Sequence, residues 1–211
     1  MPPGFEELGV DRGLVRYRFA VPGPRQPYPL RVTGLRDRAQ VWVDGVFAGV
    51  LTEEEAVLPE PVAGPAVVEL WVESLGRVNY GPRLAEPKGI TGGLLHERQY
   101  VHGVRARGLR LDAFTAEAVG RVPFRPVAER SEGRGLYRAS VEVAGAGDAE
   151  LRLPGAGRGF VWVNGFCLGR HWPSAGPQEG LFVPGPVLRE GANEVWVLEV
   201  EGSGPRAVEL D

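Results

Sequence analysis

The segment that decides the fold reads Val161-Trp162-Val163-Asn164-Gly165-Phe166-Cys167-Leu168-Gly169-Arg170. A similar segment lies 120 residues earlier and reads Val41-Trp42-Val43-Asp44-Gly45-Val46-Phe47-Ala48-Gly49-Val50. Asn-Gly and Asp-Gly between apolar runs are typical of β-hairpins, because both central residues of a type I′ turn need positive φ. The sequence therefore predicts one hairpin in each half of the chain.

The two halves also match outside the hairpins. The same spacing of 120 residues aligns Tyr17 with Tyr137, and the apolar segments around Trp71 and Trp196 match at a spacing of 125 residues. A spacing that changes once is what an insertion in one copy would produce. We therefore predict two copies of one all-β unit, over residues 1–120 and 121–211, joined near residues 118–130.

Turn residues separate short apolar runs along the whole chain. Residues 14–21 alternate and read as a strand, residues 22–29 contain four prolines and read as a loop, and residues 88–93 read as a turn cluster. Residues 112–120 are a short stretch with helical character. Many short strands at close spacing favour tandem jelly-roll-like β-sandwiches over a parallel sheet with helices.

Composition excludes several classes of function. The net charge of −3 and the pI near 5.8 argue against nucleic-acid binding, which needs a basic surface. No run of about 18 apolar residues predicts a membrane span. Cys167 is the single cysteine, so neither an internal disulfide nor a cysteine-based zinc site is expected. The first residues do not read as a signal peptide, and we expect a cytoplasmic protein.

Five segments of the second half occur in an order that resembles the carboxyl-terminal jelly roll of family 35 glycoside hydrolases, the retaining β-galactosidases. The segments are residues 159–165 (GFVWVNG), 168–172 (LGRHW), 176–178 (GPQ), 181–184 (LFVP) and 191–194 (GANE). His171 departs from the family pattern, which has tyrosine there. The resemblance implies a galactose-binding-like fold for the second unit.

The first half resembles the preceding β domain of the same enzymes. The matching segments are residues 35–41 (LRDRAQV), 76–81 (GRVNYG) and 88–90 (KGI). In this family a catalytic (α/β)₈ barrel holds both catalytic glutamates, and this chain has no room for one. The resemblance implies a non-catalytic accessory region whose partner is that barrel, fused or separate. It implies weak galactoside binding and no cofactor, and a homo-oligomer is compatible with it.

Two loops combine aromatic and hydrogen-bonding side chains, as sugar sites do. The first contains Arg77, Asn79 and Tyr80, and the second contains Arg170 and Trp172. By the family resemblance, Tyr80 is the residue expected to line the galactoside pocket. Structural roles stay open for both loops: the first as a turn capped by its Asn, the second as packing against Gln178. Trp42 and Trp162 are expected in the cores.

No catalytic or metal site is expected within the chain itself. Glu53, Glu54 and Glu55 form a solvated run, and Glu73, Glu194 and Glu199 are expected on polar strand faces. His96, His102 and His171 do not group as zinc ligands, and no Asp-rich loop predicts calcium. Two other functions stay open, a free-standing carbohydrate-binding module and a subunit that pairs with a separately encoded barrel.

Overall fold

The computed structural model describes residues 1–127, 134–145, 147–202 and 204–211. It is 52% strand and 7% helix, which confirms the all-β prediction. The chain divides into two compact units, Met1–Ala113 and Phe114–Asp211. The boundary predicted after residue 120 lies inside the second of these units. Among the described residues, no helix has the length and apolarity that crossing a bilayer requires.

The first unit is a sandwich of two antiparallel sheets. Five strands pair in the order β4-β3-β5-β1-β8, and three pair in the order β2-β6-β7. Apolar side chains from both sheets form one buried core, which includes Val15, Val41, Leu70 and Ile90. The strands are β1 (Gly13–Tyr28), β2 (Leu30–Arg36), β3 (Arg38–Val43), β4 (Val46–Thr52), β5 (Val62–Glu73), β6 (Gly89–His96), β7 (Gln99–Tyr100) and β8 (Arg105–Arg110).

The second unit repeats this plan with sheets of four and three strands, in the orders β12-β11-β14-β9 and β13-β10-β15. It begins with the short helix α1 (Ala116–Gly120), whose N-cap Thr115 accepts a hydrogen bond from Ala118 N–H. Its core includes Leu151, Val161 and Val197. The strands are β9 (Gly135–Val143), β10 (Ala149–Arg152), β11 (Arg158–Val163), β12 (Phe166–His171), β13 (Leu181–Val183), β14 (Gly191–Glu201) and β15 (Glu209–Leu210).

Both predicted hairpins are confirmed as two-residue turns with positive φ at each central position. The φ angles are 50° and 82° at Asp44 and Gly45, and 49° and 84° at Asn164 and Gly165. The Asx side chains also tie each turn to the neighbouring long strand. Asp44 Oδ1 accepts the N–H of Val67 at 2.8 Å, and Asn164 Oδ1 accepts that of Glu194 at 3.0 Å.

The strand registers show which residues of the two units are equivalent, and they correct one spacing taken from the sequence. Leu70 pairs with both Tyr17 and Val41, and Val197 pairs with both Tyr137 and Val161. Leu70 and Val197 are therefore equivalent, at a spacing of 127 residues. The spacing of 125 taken from the tryptophans is wrong by two residues. A two-residue shift along a strand keeps every side chain on the same face, so the apolar pattern alone does not reveal it.

Two loop assignments in the first unit are wrong. The proline-rich residues 22–29 continue β1 to Tyr28, with register shifts on both sides of the pair Arg25 and Gly64. Proline donates no ladder hydrogen bond, so it is confined to strand edges and bulges, and these irregularities accommodate it. Residues 89–93, read as turn, begin the regular strand β6, which pairs with β2.

The matched tryptophans lie outside the two sandwich cores. Strand alternation directs Val41 and Val161 inward, which leaves Trp42 and Trp162 on the opposite sheet faces. Trp162 is nevertheless buried, at 1% exposure, because the ring of Phe114 stacks on it at 4.8 Å. Trp42 is half-buried and has an edge contact with Phe47. Neither tryptophan therefore belongs to a sandwich core, contrary to the prediction. Trp162 is buried on the other face of its sheet, and Trp42 is only half-buried.

We expect Gly45→Val and Gly165→Val each to destabilise its own unit by roughly 1–3 kcal/mol. Added β-carbons would meet no atom at Gly45 and only Trp196 Cη2 at 3.9 Å at Gly165, so the cost is strain at positive φ. Calorimetric unfolding measures it. Asp44→Asn is the matched control, because asparagine tolerates this φ and keeps the Oδ1 acceptor. Unchanged melting of both glycine variants would contradict the type I′ assignment.

Candidate functional site

Residues 74–88 connect β5 to β6 and form the loop that carries Arg77, Asn79 and Tyr80, and this loop is pinned where it begins. Asp37, between β2 and β3, donates its N–H to Glu73 O at 3.1 Å. Its Oδ2 accepts the N–H of Leu75 at 2.7 Å. One aspartate therefore holds the end of β5 and the first residues of the loop against the β2–β3 junction.

A buried lysine closes the other end of the loop. Lys88 is 2% exposed, and its Nζ donates to Asp37 Oδ1 at 2.9 Å and to Glu86 Oε1 at 3.0 Å. Hydrogen bonds from Arg83 lower the pKa of Glu86 to about 2, which keeps this carboxylate ionised. The three side chains Asp37, Glu86 and Lys88, here called the ionic anchor, join the loop's start to its end.

The middle of the loop is exposed to solvent. Tyr80 is 89% exposed, and Leu75 and Leu84 on either side are also exposed. Arg77 forms an ion pair with Glu6, so its guanidinium is already engaged. Within the described parts of the chain, no hydrogen bond or ring contact joins Arg77, Asn79 and Tyr80 to one another. The loop thus presents an exposed aromatic side chain between two hydrogen-bonded ends rather than a closed pocket.

The second predicted loop, which carries Arg170 and Trp172, is held mainly by guanidinium groups that stack on aromatic rings. The guanidinium of Arg158 lies 4.1 Å from the ring centre of Trp172, and that of Arg170 lies 5.4 Å from the ring centre of Phe160. Arg158 is itself buried and pairs with Glu201 at 3.3 Å. Gln178, the expected packing partner of the loop, is exposed. One face of the Trp172 ring is therefore covered by protein.

Between Arg170 and Trp172, His171 points inward to a buried carboxylate. Its Nε2 lies 3.7 Å from Glu199 Oε2. The Glu199 carboxylate accepts the N–H groups of Gly157, Arg158 and Glu201 at 2.8–3.0 Å. Both Glu199 and Glu73 are fully buried, so the expectation of polar strand faces was wrong for these two residues. The Glu199 carboxylate binds backbone N–H groups beside the register shift between Arg158 and Gly159, an arrangement that strand alternation does not predict.

The ionic anchor was not predicted, although Asp37 and Lys88 lie within segments that carry the family resemblance. One feature of the sequence could have indicated the ionic anchor. Lys88 is the single lysine in a chain with 24 lysines and arginines together. A compact ammonium reaches two carboxylates in a space that a planar guanidinium does not fit as readily. Among the described residues, no group of three or more His, Cys, Asp or Glu side chains is arranged to hold a metal ion.

Comparison with known proteins covers nearly the whole chain. The family model described as β-galactosidase, first all-β domain, matches residues 2–110, and the one described as β-galactosidase, galactose-binding domain, matches residues 135–193. The β-galactosidase of Homo sapiens is 32% identical over 221 residues, covering 95% of this chain and 32% of the human protein. The β-galactosidase-1-like protein of Mus musculus is 32% identical over 210 residues, with the same coverages.

A solved structure gives a weaker likeness. The lectin from Pleurotus ostreatus in complex with GalNAc aligns over 97% of this chain and 74% of its own, with 13% identity and a TM-score of 0.30. The family relation therefore rests on the sequence matches. The chain spans about a third of the length of the curated relatives it matches. It belongs to the β-galactosidase family and consists of that family's first all-β domain followed by its galactose-binding domain.

Proposed function

We propose that this chain is the accessory β region of a β-galactosidase, which supports the catalytic barrel and contributes the loop 77–81 to the rim of the galactoside pocket. The observation that carries the proposal is the loop itself. Tyr80 is 89% exposed, yet both ends of its loop are held by a buried ionic anchor. Holding an exposed aromatic ring on a fixed base is a way to prepare a surface for a ligand or partner.

The family relation supports this role over the two alternatives. The matched β-galactosidase of Homo sapiens is about three times as long as the stretch this chain covers. Exposed Leu75 and Leu84 beside Tyr80 add apolar surface of the kind that a neighbouring domain covers. A free-standing galactose-binding module would instead need this loop to close a complete pocket around the sugar, whereas Tyr80 is 89% exposed. The cytoplasmic location stays a prediction.

The proposal predicts that hydrolysis requires the catalytic barrel, and an activity assay can test this. The chain alone should not hydrolyse nitrophenyl-β-galactoside, because hydrolysis needs two carboxylates across one glycosidic bond. Joined to a family barrel, it should yield a folded, active enzyme. Turnover by the purified chain that disappears when one of its own glutamates is mutated would contradict the accessory role.

In such a barrel-bearing enzyme, we expect Tyr80→Ala to raise KM about three- to tenfold with little change in kcat, because a stacking wall contributes binding rather than bond cleavage. Steady-state kinetics with galactosides of different leaving groups measures the effect. Phe182→Ala is the matched control, since Phe182 is an exposed aromatic residue on β13, at 61% exposure. Equal KM and kcat for Tyr80→Ala and the parent would show that Tyr80 does not line the pocket.

We also expect the chain alone to bind free galactose only at millimolar concentration or above. One wall of a pocket buries a small part of a ligand, whereas small-molecule sites bury most of its surface. Isothermal titration calorimetry with the 211-residue chain measures the affinity. A dissociation constant below about 10 μM would favour the independent carbohydrate-binding module instead.

A further inference from the structure

The first unit contains a cleft that the functional proposal does not use. It has a volume of about 710 Å³ and lies between the irregular end of β1 and the β6–β7 hairpin. Val21 and Val101 supply apolar wall, and Arg25, Gln99, Tyr100 and His102 supply polar and aromatic groups. Clefts of this size, mostly apolar with a few convergent polar groups, are typical of small-molecule sites.

Arg25 is the only guanidinium in the wall of this cleft, and its protein partners are neutral. Its Nη1 lies 3.3 Å from His96 Nδ1, and its Nη2 donates to Gln99 Oε1. Arginine only donates, so Nδ1 of His96 accepts, and Nε2–H then donates to Val62 O at 2.7 Å. Among the described residues no carboxylate forms an ion pair with Arg25. Arg25 therefore has no ion-pair partner in the described part of the chain, and N–H groups are left for a ligand.

The backbone holds Arg25 in this position. Arg25 pairs with Gly64, and the register shifts on both sides of that pair, an irregularity of the kind that re-aims side chains beside binding sites. A β-carbon on Gly64 would lie 2.2 Å from Pro22 O, so glycine is needed for the close approach of β1 and β5. Tyr28 packs its ring edge-on against His96, with centroids 5.7 Å apart. The acceptor of Arg25 is thus fixed as well.

Tyr100 offers an aromatic surface in the same cleft. A β-carbon on Gly93 would lie 3.0 Å from its Cε1 and 3.2 Å from its Cδ1, so the ring rests on the bare backbone of β6. The side chain is still 59% exposed. A ring supported in this way and open to solvent can pack against the C–H face of a sugar.

We propose that this cleft binds a carboxylate-bearing saccharide of the uronic-acid type. The ligand carboxylate would accept charge-assisted, forked hydrogen bonds from the Arg25 guanidinium. The sugar ring would pack on Tyr100, and its hydroxyls would reach Gln99 and His102. A neutral sugar would leave the cation unpaired, and a small carboxylate would leave Tyr100 uncovered.

Calorimetric or ligand-observed NMR titration of the full 211-residue chain tests the proposal, with glucuronate, glucose and acetate as probes. Glucose matches the ring without the charge, and acetate matches the charge without the ring. We expect glucuronate to bind at least about tenfold more tightly than either probe. Equal binding of acetate and glucuronate would overturn the saccharide assignment, and absence of glucuronate binding at tens of millimolar would overturn the site.

Substitutions locate the binding. Arg25→Gln and Tyr100→Ala should each weaken glucuronate binding about tenfold, and Arg25→Lys should fall between Arg25→Gln and the parent because it keeps the charge without the fork. The controls are Arg107→Gln, an exposed arginine on β8, and Phe182→Ala, an exposed aromatic residue of the second unit. Thermal melting verifies folding. Glucuronate affinity unchanged in folded Arg25→Gln would refute the proposal.

Discussion

Lys88→Met should destabilise the first unit by about 3–5 kcal/mol, the cost of breaking a buried ion pair by removing one partner. The methionine nearly preserves the volume but leaves the carboxylates of Asp37 and Glu86 without their shared cation. Both carboxylates are largely shielded, at 14% and 12% exposure. Glu86 keeps Arg83 as a partner, so Asp37 bears most of the cost. Calorimetric unfolding measures the change.

A matched control separates this effect from loss of charge in general. Arg110 pairs with Asp112 on the surface, where the two side chains are 55% and 57% exposed. Exposed pairs contribute about 0–1 kcal/mol, so Arg110→Met should melt close to the parent. A double-mutant cycle with Asp37→Asn should show strong coupling to Lys88→Met. If Lys88→Met and Arg110→Met were equally stable, the ionic anchor would contribute no more to stability than an exposed ion pair does.

Gly159→Ala should be the most damaging single change in the second unit. A β-carbon at this position would lie 1.9 Å from the backbone oxygen of Leu198, so β11 and β14 would have to separate. The separation would also strain the hydrogen bonds that Glu199 accepts from Gly157 and Arg158. We expect a loss of about 3 kcal/mol or more, and a fall in the unfolding midpoint of roughly 12 °C or more.

Gly120→Ala is the control for this prediction. Gly120 ends α1, and a β-carbon there would meet no atom within 4 Å. Its substitution should change stability by no more than about 0.5 kcal/mol. Thermal unfolding of both variants, followed by calorimetry, provides the comparison. If Gly159→Ala unfolded at the same temperature as Gly120→Ala, strands β11 and β14 would be less closely packed than their register indicates.

The hairpins were predictable from the sequence because their cause is local. Two consecutive residues with positive φ favour Asx-Gly, and the apolar runs around them indicate the strands. The segments around these turns also carried the family resemblance, which extends over almost the whole chain. The proline-rich end of β1 was not predictable in this way. Whether prolines end a strand or sit at bulges depends on Gly64 of the partner strand, which allows the close approach.

The sequence by itself determined the all-β class, the two-copy plan and the Asx-Gly turns, because short-range dihedral preferences and strand alternation govern these features. Only the tertiary structure decided the partners of the charged groups. Lys88 meets Asp37, 51 residues away, and Arg158 N–H meets Glu199, 41 residues away. The cleft around Arg25 likewise depends on residues some 70 positions apart. Burial of a charge depends on which distant groups compensate it, and only the folded chain brings those groups together.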